Sequence, residues 1–468
     1  MKKTFVGRQL RKLRHTRNET QTDVAKTLGV TPAYINMLEN NQRSLSVKML
    51  MALSDAYDLD WKEWVRDDSP NLLADLRNVM QDPIFGSEPA DLQELRAAVE
   101  HSPRLVSAFV QLFKTHRTTV EKVMRQGEAQ NRSDLVAMSP EATLHDFFRN
   151  HSNYFHTLEE AAERLRREEP CEPHDVYVTL KTRLKRKHGI SIQTKSVETL
   201  NQTLRIHDEE NALLVLSEAL DHQNRVFQLI HVIGLLEMDH LLEDLTVGSG
   251  IRSETGIARC RVELANYFAA AYLMPYGPFL EKAENTRYDV DRIAAAFGVS
   301  FEQVCHRLTT LQRPGATGVP LFFLRIDKAG NVTKRFNATS FNLAEYGGAC
   351  PVWNIHTAFR TPGVVLPQFV ELPGGEKYFT ISRTIDRPVY SRETQNHRLA
   401  VALGCEFQYA DRIGYASSFN LRDPNLMHPI GINCHLCPRK ACSQRAHHPI
   451  FVELHIDPNR RGNTRYES

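Results

Sequence analysis

The chain has 468 residues, 41% hydrophobic and 24% charged, with a formal net charge of +2 at pH 7. This length predicts three or four domains, and the composition is that of an ordinary globular protein rather than a disordered one. No run of 18 apolar residues occurs, and the basic N-terminus lacks the apolar segment of a signal peptide. We therefore expect a cytoplasmic protein with no membrane partner.

Positive charge is concentrated at the N-terminus. The first 50 residues hold ten Lys and Arg against three Asp and Glu, a local net charge of +7. A basic face suits contact with phosphate, although a merely solvated terminus has the same composition.

The same segment has the pattern of four short helices. Thr20 can cap a second helix that Gly29 ends, and Thr31 followed by Pro32 opens a third helix. The side chains of this third helix divide into an inner set, Ile35 and Leu38, and an outer set, Tyr34, Asn36 and Glu39.

The string TQxxxA at Thr20–Ala25, before a Gly-Val-Thr turn, resembles the phage-repressor-like (XRE) helix-turn-helix family over about residues 6–68. The resemblance implies that Thr31–Asn40 lies in the DNA major groove, with its first residues at base edges. It places Gln21 where it braces this helix and contacts phosphate. Tyr34 has packing at the domain surface as its alternative role. The DNA-binding candidates are Gln21, Thr31, Pro32, Tyr34, Asn36, Asn40, Asn41 and Arg43.

Residues 69–138 are predicted to form a helical linker, with an apolar face at Leu105, Phe109, Leu112 and Phe113. Repressors of this type read two-fold operators as dimers, so the linker is a candidate for pairing subunits into a homodimer or homotetramer. Packing of these helices onto their own chain is the alternative.

A middle domain is predicted over 139–314. It contains a helix at Val176–His188 with a basic face, a buried strand at Leu213–Ser217 and a long helical pattern at Arg225–Leu242. Together with the later string ELANYFAAAYLMP at Glu263–Pro275, these elements resemble the ImmA/IrrE-type metallopeptidase domain, a zincin-like fold.

That family carries H-E-x-x-H, two zinc-binding histidines with a glutamate base between them. Here His231 stands at the first position, but Val232 replaces the base and Leu235 replaces the second histidine. Glu263 is a candidate remnant of a third ligand. A site without the base and one ligand cannot activate a zinc-bound water, so we expect no enzyme activity.

The degenerate site is expected to leave a concave pocket with apolar walls, which is the usual setting for a small-molecule ligand. The candidate lining residues are Arg225, Gln228, His231, Tyr267 and Tyr272. Arg225 is the first choice for contacting an anionic ligand at the pocket mouth. A basic helix is the alternative, through Lys181, Arg183, Lys185 and Arg186.

Residues 315–468 are predicted to be an α+β domain with a mixed or antiparallel sheet. The strand signals are Leu321–Ile326, Val332–Phe336, Glu376–Thr384 and Val389–Arg392. The whole chain is thus predicted to be multidomain, with a mainly α N-terminal half followed by α+β central and C-terminal domains.

Three cysteines lie within nine residues at Cys434, Cys437 and Cys442. Such spacing in a reducing compartment favours a metal or a cluster over disulfides. The distant Cys350, between glycines and a proline, is a candidate fourth ligand, whereas Cys405 has an apolar, core-like context. Spacing alone leaves a zinc site open, with His435 or His447 completing the three cysteines.

The strings GGACPxWN and NCxxCPxxxCxQRAxxP, taken with the degenerate peptidase helix, resemble the short-chain fatty acyl transcriptional regulator family along the whole chain. The resemblance implies a DNA-binding regulator of propionate or acetate use, through the methylcitrate or glyoxylate routes. It implies a middle domain that senses short-chain acyl-CoA as effector, and a [4Fe–4S] cluster on Cys350, Cys434, Cys437 and Cys442. The alternatives are a zinc-dependent peptidase that cleaves a repressor, and a ligand-free regulator with structural zinc.

Overall fold

The computed structural model describes residues 7–449 except 18, 41–42, 44, 58–68, 81, 83–84, 86–90, 126–139, 173–174, 201–202, 342–348, 388–397, 433 and 436. The chain divides into two compact units, residues 1–73 and residues 74–468. Among the described residues, no helix combines the length and the apolar character needed to cross a membrane.

Four helices build the first unit: α1 (Gly7–Thr16), α2 (Gln21–Thr27), α3 (Pro32–Glu39) and α4 (Val47–Tyr57). The predicted caps are confirmed. Thr20 and Asp23 form a reciprocal capping box on α2, and Thr31 caps α3, which starts at Pro32. Gly29 has φ +66°, in the left-handed region that favours glycine. The helices enclose a core of Leu10, Val24, Ala25, Ile35, Leu38, Leu45, Leu53 and Tyr57.

Three helices follow, α5 (Ser69–Met80), α6 (Leu92–His101) and α7 (Pro103–Arg125), and then α8 (Pro140–Asn150). The Asp75 carboxylate lies 2.5 Å from the Arg149 guanidinium on α8 and 3.5 Å from Lys114 Nζ on α7. These helices therefore contact their own chain. Leu105 and Leu112 on α7 remain 71% and 67% exposed.

The middle region is mainly helical around a small sheet. Its helices are α9 (His156–Glu168), α10 (Val176–His188), α11 (Val197–Leu200), α12 (His222–Glu237), α13 (Asp239–Gly248), α14 (Glu254–Leu273), α15 (Tyr276–Asn285), α16 (Val290–Phe297) and α17 (Phe301–Leu308). Its strands are β1 (Ser191–Lys195), β2 (Arg205–Asp208) and β3 (Leu213–Ser217). In the sheet, β3 lies between β1, to which it is parallel, and β2, to which it is antiparallel.

Two predictions for this region have different outcomes. The buried strand Leu213–Ser217 and the helix Val176–His188 are confirmed to the residue. The single helix predicted at Arg225–Leu242 is wrong, because α12 ends at Glu237 and Met238 leaves helical geometry before α13 begins. No glycine or proline marks that break in the sequence.

A six-stranded sheet dominates the C-terminal region. After the short hairpin β4 (Gln312–Arg313) and β5 (Ala316–Thr317), the sheet comprises β6 (Phe322–Ile326), β7 (Val332–Asn337), β8 (Leu366–Glu371), β9 (Lys377–Asp386), β10 (Arg398–Glu406) and β11 (His428–Pro429). The order is β11-β8-β9-β10-β6-β7, and only the β11–β8 pair is parallel.

Sequence patterns identified β6, β7 and β9 but missed β8 and β10, and the predicted strand Val389–Arg392 lies outside the described residues. A short helix, α18 (Asn354–Thr357), packs on the sheet.

One hydrophobic core joins the middle region to the C-terminal sheet. It runs without interruption from Leu144 on α8, through α12 and α14, to Phe379 and Leu403 on the sheet. Helices α12 and α14 pack against each other at Gly234, where a Cβ atom would lie 2.8 Å from the Phe268 ring. Glycine is therefore the residue that lets α12 approach α14.

An ion pair lies at the centre of this core. Arg307 on α17 is fully buried, and its Nη1 and Nη2 atoms lie 2.6 and 2.8 Å from the two carboxylate oxygens of Glu159 on α9. Tyr267 on α14 donates a 2.6 Å hydrogen bond to the same carboxylate, and Arg307 Nε donates to the Met274 carbonyl. Although burial opposes the charge on Arg307, Glu159 raises the pKa of this guanidinium, so Arg307 keeps its positive charge.

Replacement of one partner is expected to be costly. Arg307→Met leaves the Glu159 carboxylate buried without its counter-charge, which typically costs about 3–5 kcal/mol of stability. Urea denaturation followed by circular dichroism measures the loss. The matched double variant Glu159→Leu with Arg307→Met removes both charges and is expected to recover most of the stability. Equal destabilisation of the single and double variants would contradict this account of the pair.

Candidate functional site

In the first unit, α3 is held in place through Glu39. The Glu39 side chain is buried and accepts hydrogen bonds from Arg14 Nε on α1, at 2.7 Å, and from Gln21 Nε2 on α2, at 2.8 Å. Burial alone would raise the pKa of Glu39, but Arg14 and Gln21 lower it below its ordinary value. The prediction that Glu39 faces outward is wrong, because partners from two other helices compensate its buried charge. Gln21 does brace α3, and its phosphate contact stays a prediction.

The other DNA-binding candidates lie on or beside α3. Thr31, Pro32, Asn36, Asn40 and Arg43 are exposed, Tyr34 is half-buried, and Asn41 lies outside the described residues. The Arg43 guanidinium lies 5.0 Å from the centroid of the Tyr34 ring, a cation–π contact. Asn40 Oδ1 accepts a 2.7 Å hydrogen bond from Arg11. The structure thus presents the start of α3 to solvent, with a guanidinium beside it.

In the middle region, both ring nitrogens of His231 are occupied. Arg205 Nη1 lies 2.7 Å from His231 Nδ1, and arginine can only donate, so Nδ1 is the acceptor and Nε2 carries the proton. That protonated nitrogen is left for the backbone carbonyl of Val262. Burial and the adjacent Arg205 lower the pKa of His231 to about 4, so the ring is neutral. A histidine in this state has no free lone pair for a metal.

Glu263, the candidate remnant ligand, has also acquired a basic partner. It is buried on α14, and Lys334 Nζ, from β7, lies 3.1 Å from its Oε2 atom. Burial alone would raise the pKa of Glu263, but Lys334 and His306 hold it at about 2. Apolar pocket walls were expected here. The structure instead places the basic side chains of Arg205 and Lys334 against His231 and Glu263, respectively.

The remaining lining candidates differ in their accessibility. Tyr267 and Tyr272 are 2% and 1% exposed, and the Tyr267 hydroxyl is committed to Glu159. Gln228 and Arg225 are half-buried on α12. Arg225 Nη2 donates to the Glu218 carbonyl at 3.1 Å, and its Nε atom is buried without a hydrogen-bond partner.

The basic face of α10 is largely neutralised. Arg183 is buried and contacts Glu168, Glu169 and Glu237 at 2.6–3.0 Å, so it is not available to bind an anionic ligand as expected. Arg186 pairs with Glu169. The basic run in the sequence is therefore partly a structural ion-pair network, made with acids that are distant in the chain.

The four cysteines implied by the family resemblance come together in the C-terminal region. Cys350, Cys434, Cys437 and Cys442 all line one pocket of about 310 Å³, counting the space open to solvent. Cys350 and Cys437 are buried, and the Gly431 amide donates to Cys350 Sγ at 3.4 Å. Burial raises the pKa of the Cys350 thiol, and Cys434 and Cys437 add to this. Cys405 instead lies in the core, as expected, where burial raises its thiol pKa to about 12.

Two arginines line the same pocket. Arg445 is 5% exposed, and its guanidinium donates to the carbonyls of Cys434 and Cys437 at 3.2 and 3.3 Å. Arg439 donates to the carbonyls of Ile430 and Glu371. Neither arginine has a carboxylate partner among the described residues, and Arg445 Nε is buried without an acceptor. A buried cation without a counter-charge is unfavourable, so the pocket suits an anionic occupant.

The pocket lining offers four cysteine thiols and no histidine as candidate ligands. His435 and His447 stack on each other with ring centroids 4.3 Å apart, and neither lines the pocket. In a zinc tetrahedron the sulfurs lie about 3.8 Å apart, since Zn–S bonds are about 2.3 Å. Among the described residues, the one trio of candidate ligands within 4.8 Å of one another is Asp239, His240 and Glu243, so no three of the cysteine sulfurs approach that closely. A cluster held by four thiolates has a net negative charge, which Arg439 and Arg445 would offset.

Sequence reasoning missed four of these residues, namely Arg205, Lys334, Arg439 and Arg445. Arg205 is a single basic residue at the start of a strand, and its contact with His231 is 26 positions away. Arg445 follows Cys442 by three residues, so its proximity to the thiols was a usable signal. Its role as a donor to the backbone carbonyls of the cysteines had no signature in the sequence.

Comparison with protein families gives three matches along the chain. Residues 10–64 match the helix-turn-helix model, residues 185–309 match the IrrE N-terminal-like domain, and residues 310–466 match the short-chain fatty acyl coenzyme A regulator C-terminal model.

Similar proteins match over nearly the whole length. A propionyl-CoA carboxylase regulator of Cereibacter sphaeroides is 38% identical over 99% of both chains. The transcriptional regulator PrpR of Mycobacterium tuberculosis is 33% identical over 100% of this chain and 96% of its own. The solved structure of a Mycobacterium tuberculosis transcriptional regulator superposes with a TM-score of 0.66 at 34% identity, covering 70% of this chain and 100% of that one.

A lost phosphate contact is the expected effect of Arg43→Ala. We expect the exposed guanidinium beside Tyr34 to contact the DNA backbone, so its loss should weaken binding about equally for all sequences. The slope of log affinity against log salt should fall by about one unit. Fluorescence anisotropy at several salt concentrations measures both. A loss confined to one base position, with the slope unchanged, would mean that Arg43 reads bases.

Restoring the H-E-x-x-H string is not expected to restore zinc binding. In the double variant Val232→Glu with Leu235→His, Arg205 still occupies His231 Nδ1 and fixes the proton on Nε2. Addition of Arg205→Ala frees the imidazole and should allow zinc to bind. Zinc content after dialysis, measured by mass spectrometry, tests this. Stoichiometric zinc in the double variant with Arg205 intact would show that Arg205 does not block the site.

Proposed function

The chain belongs to the short-chain fatty acyl coenzyme A regulator family, and we propose that it is a DNA-binding transcription factor that controls propionate or acetate use. In this proposal the middle region binds a short-chain acyl-CoA as effector, and the four-cysteine pocket holds a [4Fe–4S] cluster. Relatives named as a propionyl-CoA carboxylase regulator and as transcriptional regulators support the metabolic assignment.

DNA binding is supported by the exposed start of α3 and by its bracing. Glu39 fixes α3 to α1 and α2 through Arg14 and Gln21, so the exposed side chains of α3 are presented on a rigid support. Rigid presentation matters because base readout needs side chains in defined positions. Operators for such domains are two-fold, so the protein is proposed to act as a homodimer or homotetramer on double-stranded DNA.

Acyl-CoA sensing in place of catalysis is supported by the state of the former peptidase site. Val232 offers no base, and His231 is neutral with both nitrogens engaged. This observation argues against the alternative of a repressor-cleaving metallopeptidase, which needs an open zinc position and a base. An effector that binds one conformation better than another would change the fraction of molecules in the conformation that binds DNA.

The cluster assignment is carried by a single observation: four cysteines from two distant segments line one pocket with the buried Arg445. Cys350 would come from the segment before α18, and Cys434, Cys437 and Cys442 from the C-terminal loop. When bound, such a cluster would supply one-electron redox chemistry and would tie these two segments together. Arg445 would orient the loop through the carbonyls of Cys434 and Cys437.

Isothermal titration of the full chain with propionyl-CoA, acetyl-CoA and free propionate tests the effector. Saturable binding of an acyl-CoA, with weaker binding of the free acid, supports the proposal. Binding of the free acid equal to that of the thioester, or no heat with either acyl-CoA, would show that the CoA moiety is not recognised.

Cys437→Ala is expected to abolish the cluster, because it removes a buried ligand from the pocket. After anaerobic purification the variant should lose iron, acid-labile sulfide and visible absorbance, whereas the wild type keeps all three. Cys171→Ala is the matched control, since Cys171 lies outside the pocket and should leave iron and sulfide unchanged. Retained iron and sulfide in Cys437→Ala, or stoichiometric zinc in the wild type, would contradict the assignment.

A further inference from the structure

Two arginines have backbone or side-chain contacts near the end of strand β3 in the three-stranded sheet. Arg205 begins β2 and pairs in register with Leu216 near the end of β3, and the Ser217 amide bonds the Leu204 carbonyl. Just beyond, Arg225 Nη2 donates to the carbonyl of Glu218, the residue that follows β3. The Arg205 backbone and the Arg225 guanidinium therefore lie near the carboxyl end of β3. In α/β folds, ligands bind outside the carboxyl ends of parallel strands, and β3 is parallel to β1.

Arg205 is a cation without a counter-charge. Its one hydrogen bond among the described residues goes to the neutral His231, and burial lowers the pKa of the guanidinium with no acid opposing this effect. Arginine has five N–H donors, and His231 accepts only one of them. A half-buried guanidinium in this state is stabilised most by an anion that accepts its remaining hydrogens.

Arg225 is in a similar state, and the nearby acids are already engaged. Its Nε atom is buried without an acceptor. The Glu218 carboxylate accepts from the Val197 amide at the start of α11, and the Asp221 carboxylate accepts from the Asn224 amide at the start of α12. The acids at this edge therefore cap helices, and they leave both guanidinium groups unpaired.

We propose that the edge formed by Arg205 and Arg225 binds the phosphate groups of the acyl-CoA ligand, an inference that rests on the proposed function. Phosphate matches the bidentate geometry of a guanidinium fork, and two arginines suit a diphosphate better than a single carboxylate. Arg205 also bonds His231 on α12, so the proposed phosphate site shares this arginine with the helix that faces α14. Ligand binding is thereby connected to the former peptidase site and to the core it shares with the C-terminal sheet.

The test compares ligands with and without phosphate on the anaerobically prepared full chain. Propionyl-CoA is titrated into the wild type, Arg205→Gln, Arg225→Gln and the control Arg252→Gln, which removes an exposed charge just before α14. S-Propionyl-pantetheine, which lacks the diphosphate and the nucleotide, is titrated in parallel, and ATP distinguishes CoA from nucleotides in general.

Arg205→Gln and Arg225→Gln are each expected to weaken propionyl-CoA binding about 10-fold or more and to reduce its salt dependence. Binding of S-propionyl-pantetheine should be the same in the variants as in the wild type, and Arg252→Gln should bind propionyl-CoA normally. If Arg205→Gln is unfolded at the assay temperature, the affinity of Arg225→Gln for propionyl-CoA tests the inference.

Wild-type affinity for propionyl-CoA in folded Arg205→Gln and Arg225→Gln would overturn this inference alone. Absence of acyl-CoA binding by the wild type would overturn the proposed function as well. Tighter binding of ATP than of propionyl-CoA, lost in both arginine variants, would assign the edge to a nucleotide and contradict the CoA assignment.

Discussion

The free-energy cost of burying charged side chains constrains how the helices of the second unit pack. Glu159 and Arg307 lie fully buried where α9, α14 and α17 meet, and each is stable there only because the other is present. The Tyr267 hydroxyl donates a hydrogen bond to Glu159, and Arg307 Nε donates one to the Met274 carbonyl in the loop after α14. These contacts hold α14, the helix that carries Glu263, against α9 and α17.

The same constraint applies to His231 and Glu263 in the middle region. In this chain the positive charge comes from protein side chains, Lys334 for Glu263 and Arg205 for His231. Lys334 belongs to β7, so its ion pair with Glu263 also ties the middle helices to the C-terminal sheet. The cysteine pocket presents the opposite situation, in which Arg445 is buried and the compensating negative charge is what a thiolate cluster would provide.

Local signals in the sequence predicted local structure well. The caps at Thr20 and Thr31 and the left-handed Gly29 depend on neighbouring residues only, and the structure confirms them. Glu39 and Arg183 were placed on the surface because each is charged, yet both are buried by partners from distant helices. Strand β10 was missed, although it lies between β9 and β6, because its pairing with them is a long-range property. The four cysteines could be selected by family resemblance, whereas their shared pocket needed the fold.

A sensor couples the binding of its ligand to the binding of DNA, and this coupling can be measured directly by thermodynamic linkage. The affinity of the full chain for its operator is determined with and without saturating propionyl-CoA, and the affinity for propionyl-CoA is determined with and without operator. A sensor requires both affinities to change by the same factor, typically about 5- to 150-fold. Operator affinity that is the same in the presence and absence of every acyl-CoA would contradict the account.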